Sequence, residues 1–258
     1  MKKMLKHILR LAIPAIIIVG GAFVALHEDF YIKTINIAGN NRIPRQSVIE
    51  LLPFDEGEHI LTIPKKKTEN MLEADPKVAW AEIRRRWGGK VDVILCEEYP
   101  ILLFAADKIW GLTDKGLIIP FDEPFQIPNL VVLTCENFEK PVAQYRILEE
   151  NKVKTGLAFY EKIKKTAPYF LDKLSEIHVS EAMEITAILR GDGIAVEFGR
   201  TDPELRFQRL SAILNDMGTN RASVSKIDLR YSDQAVVKIE KGSKEKVWGS
   251  LCKKSMSG

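Results

Sequence analysis

The chain has 258 residues, 46% of them hydrophobic and 28% charged, enough for one large domain or two modest ones. A formal charge of +3 provides no global basic field, so nucleic acid is not an expected partner. The three cysteines, Cys96, Cys135 and Cys252, match no zinc or redox spacing and cannot all pair within one chain, so they read as buried or spare thiols.

The chain opens with "MKKMLKHILRLAIPAIIIVGGAFVALHEDF". Leu11 to Leu26 carries no charge. As a helix that run covers about 24 Å, and adding Ile8 and Leu9 with Arg10 snorkelling outward brings it close to the ~30 Å of a hydrocarbon core. Lys2, Lys3, Lys6 and Arg10 precede the run and Glu28 and Asp29 follow it, so the N-terminus is expected in the cytoplasm and the bulk of the chain outside it. The competing reading is a cleaved signal peptide, against which stand the length of the run and the lack of a clear A-x-A site.

"FYIKTINIAGNNRIPRQSVIELL" starts as a strand, with Tyr31, Ile35 and Ile37 on one face. Gly39, Asn40 and Asn41 turn the chain, Pro44 opens a helix with Val48, Ile49 and Leu52 as its stripe, and Pro53 stops it. A second helix is expected in "PKKKTENMLEADP". "KVAWAEIRRRWGGKVDVILCEEYP" then reads as strand, Gly-Gly turn, strand, with Val78, Trp80, Val91, Val93 and Leu95 inside. Arg84 and Arg86 share one strand face and Arg85 takes the other; with Lys65, Lys66 and Lys67 they read first as solvated surface, and second as a contact for anionic lipid or an acidic partner.

Beyond Ile101, "ILLFAAD", "KIWGLTD", "GLIIP" and "LVVL" are expected as an antiparallel meander. Residues 141–168 are expected to be helical, with Gly156 as an interruption. "LSEIHVS", "EITAILR" and "IAVEFG" read as strands, the last two joined by a Gly191-Asp192-Gly193 turn. "RTDPELRFQRLSAILNDMG" is the clearest helix, capped by Thr201 or Asp202, with Phe207, Leu210, Leu214 and Met217 as its buried stripe. "KIDLRYSDQAVVKIE" then forms a hairpin with Arg230 and Tyr231 at the turn, and the remaining residues read as a polar, mobile tail.

The β-α-α-β-β order over residues 29–98 resembles a POTRA domain, carried by "INIAGNNRIPRQSVIELL", the Gly57-x-x-Ile60-Leu61 step and the closing hairpin. A membrane helix followed at once by such a domain resembles the FtsQ/DivIB family of bacterial cell-division proteins. "RRRWGGKVDVILCEEYPILLF", "WGLTDKGLIIP" and "KIDLRYSDQAVVK" resemble further segments of that family in the same order. Gly88, where the family commonly has proline after tryptophan, departs from the pattern, as does "IPNLVVL", which lacks a glycine after its Pro-x-Leu step. The expected fold class is α+β: a cytoplasmic tail (1–7), a transmembrane helix (8–28), a POTRA domain (29–98), a mainly antiparallel β domain with flanking helices (99–240) and a flexible tail (241–258).

No catalytic motif is present. His59 and His178 lack H-x-x-H or H-E-x-x-H context, no G-x-S-x-G or S-x-x-K nucleophile occurs, and Glu97 and Glu98 face opposite ways on a strand. No cofactor, metal or small-molecule substrate is expected. The resemblance implies a non-enzymatic division scaffold in the inner membrane, exposed to the periplasm at the septum. It implies FtsB and FtsL, small single-pass coiled-coil proteins, as partners, and contacts of the POTRA and transmembrane region with other division-complex membrane proteins; the expected membrane helix adds membrane lipid as a partner. Partner contacts carried over from the family fall on Arg230, Tyr231, Asp233 and the strand Ala235, Val236, Val237 and Lys238, where a partner strand would add to a sheet edge. Arg230 could pair with an acidic partner in fork geometry or be a solvated turn residue; Tyr231 could anchor a partner or lie in the core beside Ile227 and Leu229. A further basic contact of the family falls near Met183, where this chain has no arginine. The alternative class is a transport accessory or hydrolase with a cryptic site.

Overall fold

The computed structural model describes residues 12–16, 19–21, 27–121, 127–200, 204–217, 224–232 and 234–239, together with the backbone of Lys246–Gly249. Residues 12–16 and 19–21 are helical, and most of the rest of the expected membrane helix lies outside the described residues. Among those described, no helix is long and apolar enough to cross a membrane. The chain divides between Glu98 and Tyr99 into two compact units.

The first unit contains β1 (Thr34–Ala38), α1 (Arg45–Glu50), α2 (Lys65–Glu73), β2 (Val78–Arg86) and β3 (Lys90–Glu97). Its sheet runs β1-β3-β2, with β1 parallel and β2 antiparallel to β3. Ile35, Val48, Leu72, Ile83, Val91 and Val93 form its core, so one face of the sheet is covered by the two helices. Two expected inward residues are exposed instead. Tyr31 precedes the regular strand, and its backbone forms an isolated bridge with His59 instead of a place in the sheet. Trp80 follows a register shift in β2, which hands the inner face to Ala81 and Ile83.

At the β2–β3 turn Gly88 has φ +81° and Gly89 φ +73°. Proline's ring holds φ near −65°, so the family's usual residue could not make this turn. A Cβ on Gly89 would lie 2.2 Å from the Tyr31 carbonyl oxygen, and the Gly89 carbonyl accepts from the Lys33 N–H at 2.7 Å. Glu97 anchors the other end of the unit. Its fully buried carboxylate accepts from the Arg42 N–H at 2.8 Å, the Ile43 N–H at 2.9 Å and the Arg42 guanidinium at 3.2 Å. Burial pushes this carboxyl up, but the two backbone donors and the guanidinium outweigh it and hold it below the usual carboxylate range. On the sheet surface Arg84 forks onto Glu82, Arg86 donates to Asp92 and Arg85 donates to the Ile63 carbonyl, so all three arginines have partners within the unit.

The second unit is a ten-stranded sheet in the order β13-β12-β11-β10-β9-β8-β7-β4-β5-β6. The strands are β4 (Leu102–Ala105), β5 (Ile109–Leu112), β6 (Ile118–Ile119), β7 (Val132–Cys135), β8 (Leu174–Val179), β9 (Ile185–Leu189), β10 (Ala195–Gly199), β11 (Val224–Asp228), β12 (Gln234–Ile239) and β13 (Lys246–Gly249). Two helices, α3 (Asn151–Thr166) and α4 (Glu204–Met217), pack against it. The sheet is mainly antiparallel, but "LVVL" does not extend the meander. As β7 it pairs parallel with both β4 and β8; the β8 pairing is parallel because α3 carries the chain back to the same end of the sheet before β8 begins. The α4 crossover likewise makes β10 and β11 parallel.

The helix expected over 141–168 is shorter. Tyr145 and Leu148 donate backbone N–H groups to Ile118 and Gly116, and Ile118 donates to Arg146, so this stretch lies beside β6 and only 151–166 is helical. Gly156 does not interrupt α3. It sits there because a Cβ would lie 2.3 Å from Leu133 Cδ1, so glycine lets the helix rest directly on β7. The core continues through a cluster of Phe159, Phe170, Phe198 and Phe207, with centroids 4.9–5.8 Å apart, which seats α4 over β10. Thr201, Asp202 and Pro203, expected to start α4, lie outside the described residues.

The end of the chain requires a correction. Within the stretch expected to be a flexible tail, Lys246–Gly249 form β13, antiparallel to β12, with Gln234 opposite Gly249 and Val237 opposite Lys246. Strand β12 is therefore not the edge of the sheet; β13 is.

Candidate protein-docking site

Strand β11 ends at Asp228, whose 9% exposure is low for a carboxylate. Leu229 still shares the face of Ile227, and the period-two pattern breaks after it. Leu229 is fully buried and donates to the Glu197 carbonyl at 2.9 Å, while Arg230 N–H turns back onto Asp228 Oδ1 at 3.0 Å. That local bond ends the strand, as aspartate commonly does at turns. Because the alternation breaks there, Tyr231 leaves the face of Ile227 and is 48% exposed. The core alternative for Tyr231 is thus excluded.

The Arg230 guanidinium lies in a nest of three carboxylates. Its Nε and Nη2 fork onto Asp228 at 3.0 and 2.8 Å, Nη2 is 3.1 Å from Glu197 and Nη1 is 3.3 Å from Glu184. Lys226 reaches the other Glu197 oxygen at 2.5 Å. Burial pushes the Asp228 carboxyl up, but the Arg230 side chain and backbone donors, with its positive charge, hold it below the usual range. The same partners raise Arg230 above its ordinary value. The fork that sequence reasoning left for a partner is already used inside the chain, and Arg230 fixes the turn. Beside it, Met183 has φ +58° in the turn before β9, placing Glu184 against Arg230.

Two residues that sequence reasoning missed hold the same turn from behind. Arg206, 7% exposed, donates to the Phe198 carbonyl and, at 3.1 Å, to that of Arg230. Arg209, one turn along α4, donates to the Tyr231 carbonyl at 2.8 Å. The signal was present: Arg206 breaks an otherwise apolar stripe beside Phe207, and a buried arginine requires fixed acceptors. The backbone of both Arg230 and Tyr231 is consequently bonded to α4, and the tyrosine projects from a rigid corner.

On β12, Ala235 and Val237 are buried with the core, Val236 is half-buried and Lys238 is exposed. Ala235 and Val237 can meet a partner only through their backbone. Asp233 lies outside the described residues.

Elsewhere, Thr134 Oγ1 lies 2.6 Å from Glu176 and 2.8 Å from His178 Nδ1 on the sheet surface. The hydroxyl donates its single proton to the carboxylate, so His178 Nδ1 is the donor in the second bond and does not act as a base toward the threonine. Cys135 is buried, which pushes its thiol up to about 12 and leaves it unreactive.

Comparison with known proteins agrees with this architecture. The model for "POTRA domain, FtsQ-type" matches residues 30–98, and that for "Cell division protein FtsQ/DivIB, C-terminal" matches residues 112–230. The chain belongs to the FtsQ/DivIB family. It is 24% identical to the cell division protein FtsQ of Geotalea daltonii over 81% of this chain and 76% of that one. To FtsQ of Myxococcus fulvus it is 24% identical over 78% of this chain and 69% of that one. To the cell division protein DivIB of Clostridium botulinum it is 21% identical over 82% and 83%. Family membership makes this a cell-division protein of a scaffold family rather than of an enzyme family. The C-terminal match ends at Arg230, on the corner described above.

Proposed function

We propose that this FtsQ/DivIB-family chain is a single-pass inner-membrane scaffold of the division complex that docks a partner at the β11–β12 corner. The observation that carries the reading is Tyr231: a half-exposed aromatic on a backbone that α4 holds still. A rigid aromatic loses little conformational entropy on binding and supplies a large contact area, which is the profile of a binding hot spot. The partners that suit this site are small single-pass coiled-coil proteins of the FtsB and FtsL type, whose extended membrane-distal segment can pair with the backbone of β12 from Ala235 to Lys238. Arg230 acts chiefly as the residue that positions the corner, and Asp233 is proposed as a further partner contact. The anchor is the segment of residues 8–28, whose uncharged run Leu11–Leu26 follows Lys2, Lys3, Lys6 and Arg10, with the domains on the periplasmic side at the septum; other division-complex proteins and membrane lipid meet the POTRA side.

The test is capture of the FtsB-like protein from solubilised membranes. Tyr231→Ala is expected to lower capture by tenfold or more with an unchanged melting temperature. Undiminished capture by that variant removes Tyr231 from the interface. Depletion of the protein is expected to give filamentous, undivided cells, and normally dividing cells after depletion would refute the division role itself.

A further inference from the structure

The backbone edge of β12 that a partner strand would use already carries a strand of the same chain. Residues Lys246–Gly249 pair antiparallel with Gln234–Val237, leaving Lys238 and Ile239 of the six-residue β12 beyond the paired positions. We propose that β13 is a resident strand that closes the docking edge, and that an extended partner segment adds to β12 by displacing it. This rests on the docking reading above and concerns its regulation.

Three observations support displacement over simple addition to the outer side of β13. First, β13 is a four-residue edge strand and covers β12 only in part. Few backbone hydrogen bonds oppose the entropy of ordering such a segment, so it belongs to the least stable part of the fold and opens locally. Second, β12 does not depend on β13 for its place. Its other side is paired with β11 from Val224 to Asp228, and Ala235 and Val237 are buried in the main core, so the edge persists when β13 leaves. Third, the charges are mismatched. Lys238 is exposed and stands directly opposite Lys226 on β11, and β13 itself, Lys246–Gly249, carries one lysine and no acid. A basic resident segment beside a lysine-bearing strand is readily exchanged for a segment of opposite sign. The partner chemistry that fits is therefore an extended, acidic stretch long enough to pair with all of Gln234–Ile239.

The experiment uses the full chain, the chain lacking residues 241–258, and a full chain with Val236→Cys and Val247→Cys, two residues that face each other across β12 and β13, in a Cys252→Ser background. A fluorescent peptide copying residues 242–252 is titrated into each, and capture of the FtsB-like membrane protein is measured separately. Displacement predicts that the peptide binds the shortened chain at least tenfold more tightly than the full chain. It also predicts that the shortened chain captures more partner, and that the oxidised double-cysteine chain captures at least tenfold less, restored on reduction. Loss of capture on shortening, or undiminished capture by the oxidised chain, shows that the partner uses the outer side of β13 and overturns the proposal. If the peptide binds the shortened chain but no form captures the partner, the docking reading has failed and displacement with it, while the seating of β13 stands. Unchanged thermal melting of the shortened chain serves as the folding control.

Discussion

Gly199 and Arg230 fit together because one of them has no side chain. A Cβ at position 199 would sit 3.0 Å from Arg230 Cγ, and Gly199 holds φ +68°, a left-handed conformation that glycine adopts without penalty. The glycine that ends β10 thus makes room for the arginine that follows β11, and the arginine then bridges Asp228, Glu197 and Glu184.

Gly199→Ala should therefore destabilise the second unit by about 1–2 kcal/mol, through backbone strain and displacement of the Arg230 stem. Chemical denaturation reads the loss directly. Stability equal to wild type would show that Arg230 yields without cost.

The carboxylate nest gives a pH dependence whose sign follows from Asp228. Its folded-state value is depressed, so its contribution is fully present above the ordinary carboxylate range, about pH 4, and disappears as the pH falls through the lower folded value. Asp228→Asn should flatten the acid limb of the stability curve between about pH 5 and 2 and lower stability at neutral pH. An acid limb identical to wild type would assign the acid sensitivity to other groups, Glu97 first among them.

Glu97 makes a separate prediction in the first unit. Glu97→Gln replaces one acceptor oxygen with an amide that faces the Arg42 and Ile43 donors, at a cost of about 2 kcal/mol. Amide hydrogen exchange at Ile43 should accelerate markedly, and unchanged protection there would contradict the anchoring role.

Gly156→Ala is a case in which local and tertiary preferences oppose one another. Alanine improves helix propensity by about 1 kcal/mol. Its methyl would meet Leu133 Cδ1 at 2.3 Å, and overpacking of that kind costs about 1–3 kcal/mol. The balance should be destabilising or near zero, and a gain approaching 1 kcal/mol would mean that β7 shifts freely beneath α3.

Much of this was legible before folding was considered. Strong periodicity identified β1, the β2–β3 hairpin, the β9–β10 hairpin and α4, and the order β-α-α-β-β pointed to the POTRA unit. The failures were places where a distant residue overrides the local pattern. Residues 145–148 satisfy their backbone at Gly116 and Ile118 rather than in a helix, and Trp80 is turned outward by a register shift. Arg206 was legible only as an oddity in a stripe, since its acceptors lie at Phe198 and Arg230, eight and 24 residues away.

Hydrophobic period and turn chemistry by themselves determined most of the order of elements, because they are local properties carried within a few residues, and the motifs set in that order carried the resemblance to the family. Tertiary structure decided how the last hairpin is presented. Asp228 breaks the strand, so Tyr231 faces solvent; three carboxylates and two α4 arginines fix the turn; and β13 covers the edge of β12. Each of these depends on groups that meet only when separate strands and a helix assemble, and no local pattern records such a meeting.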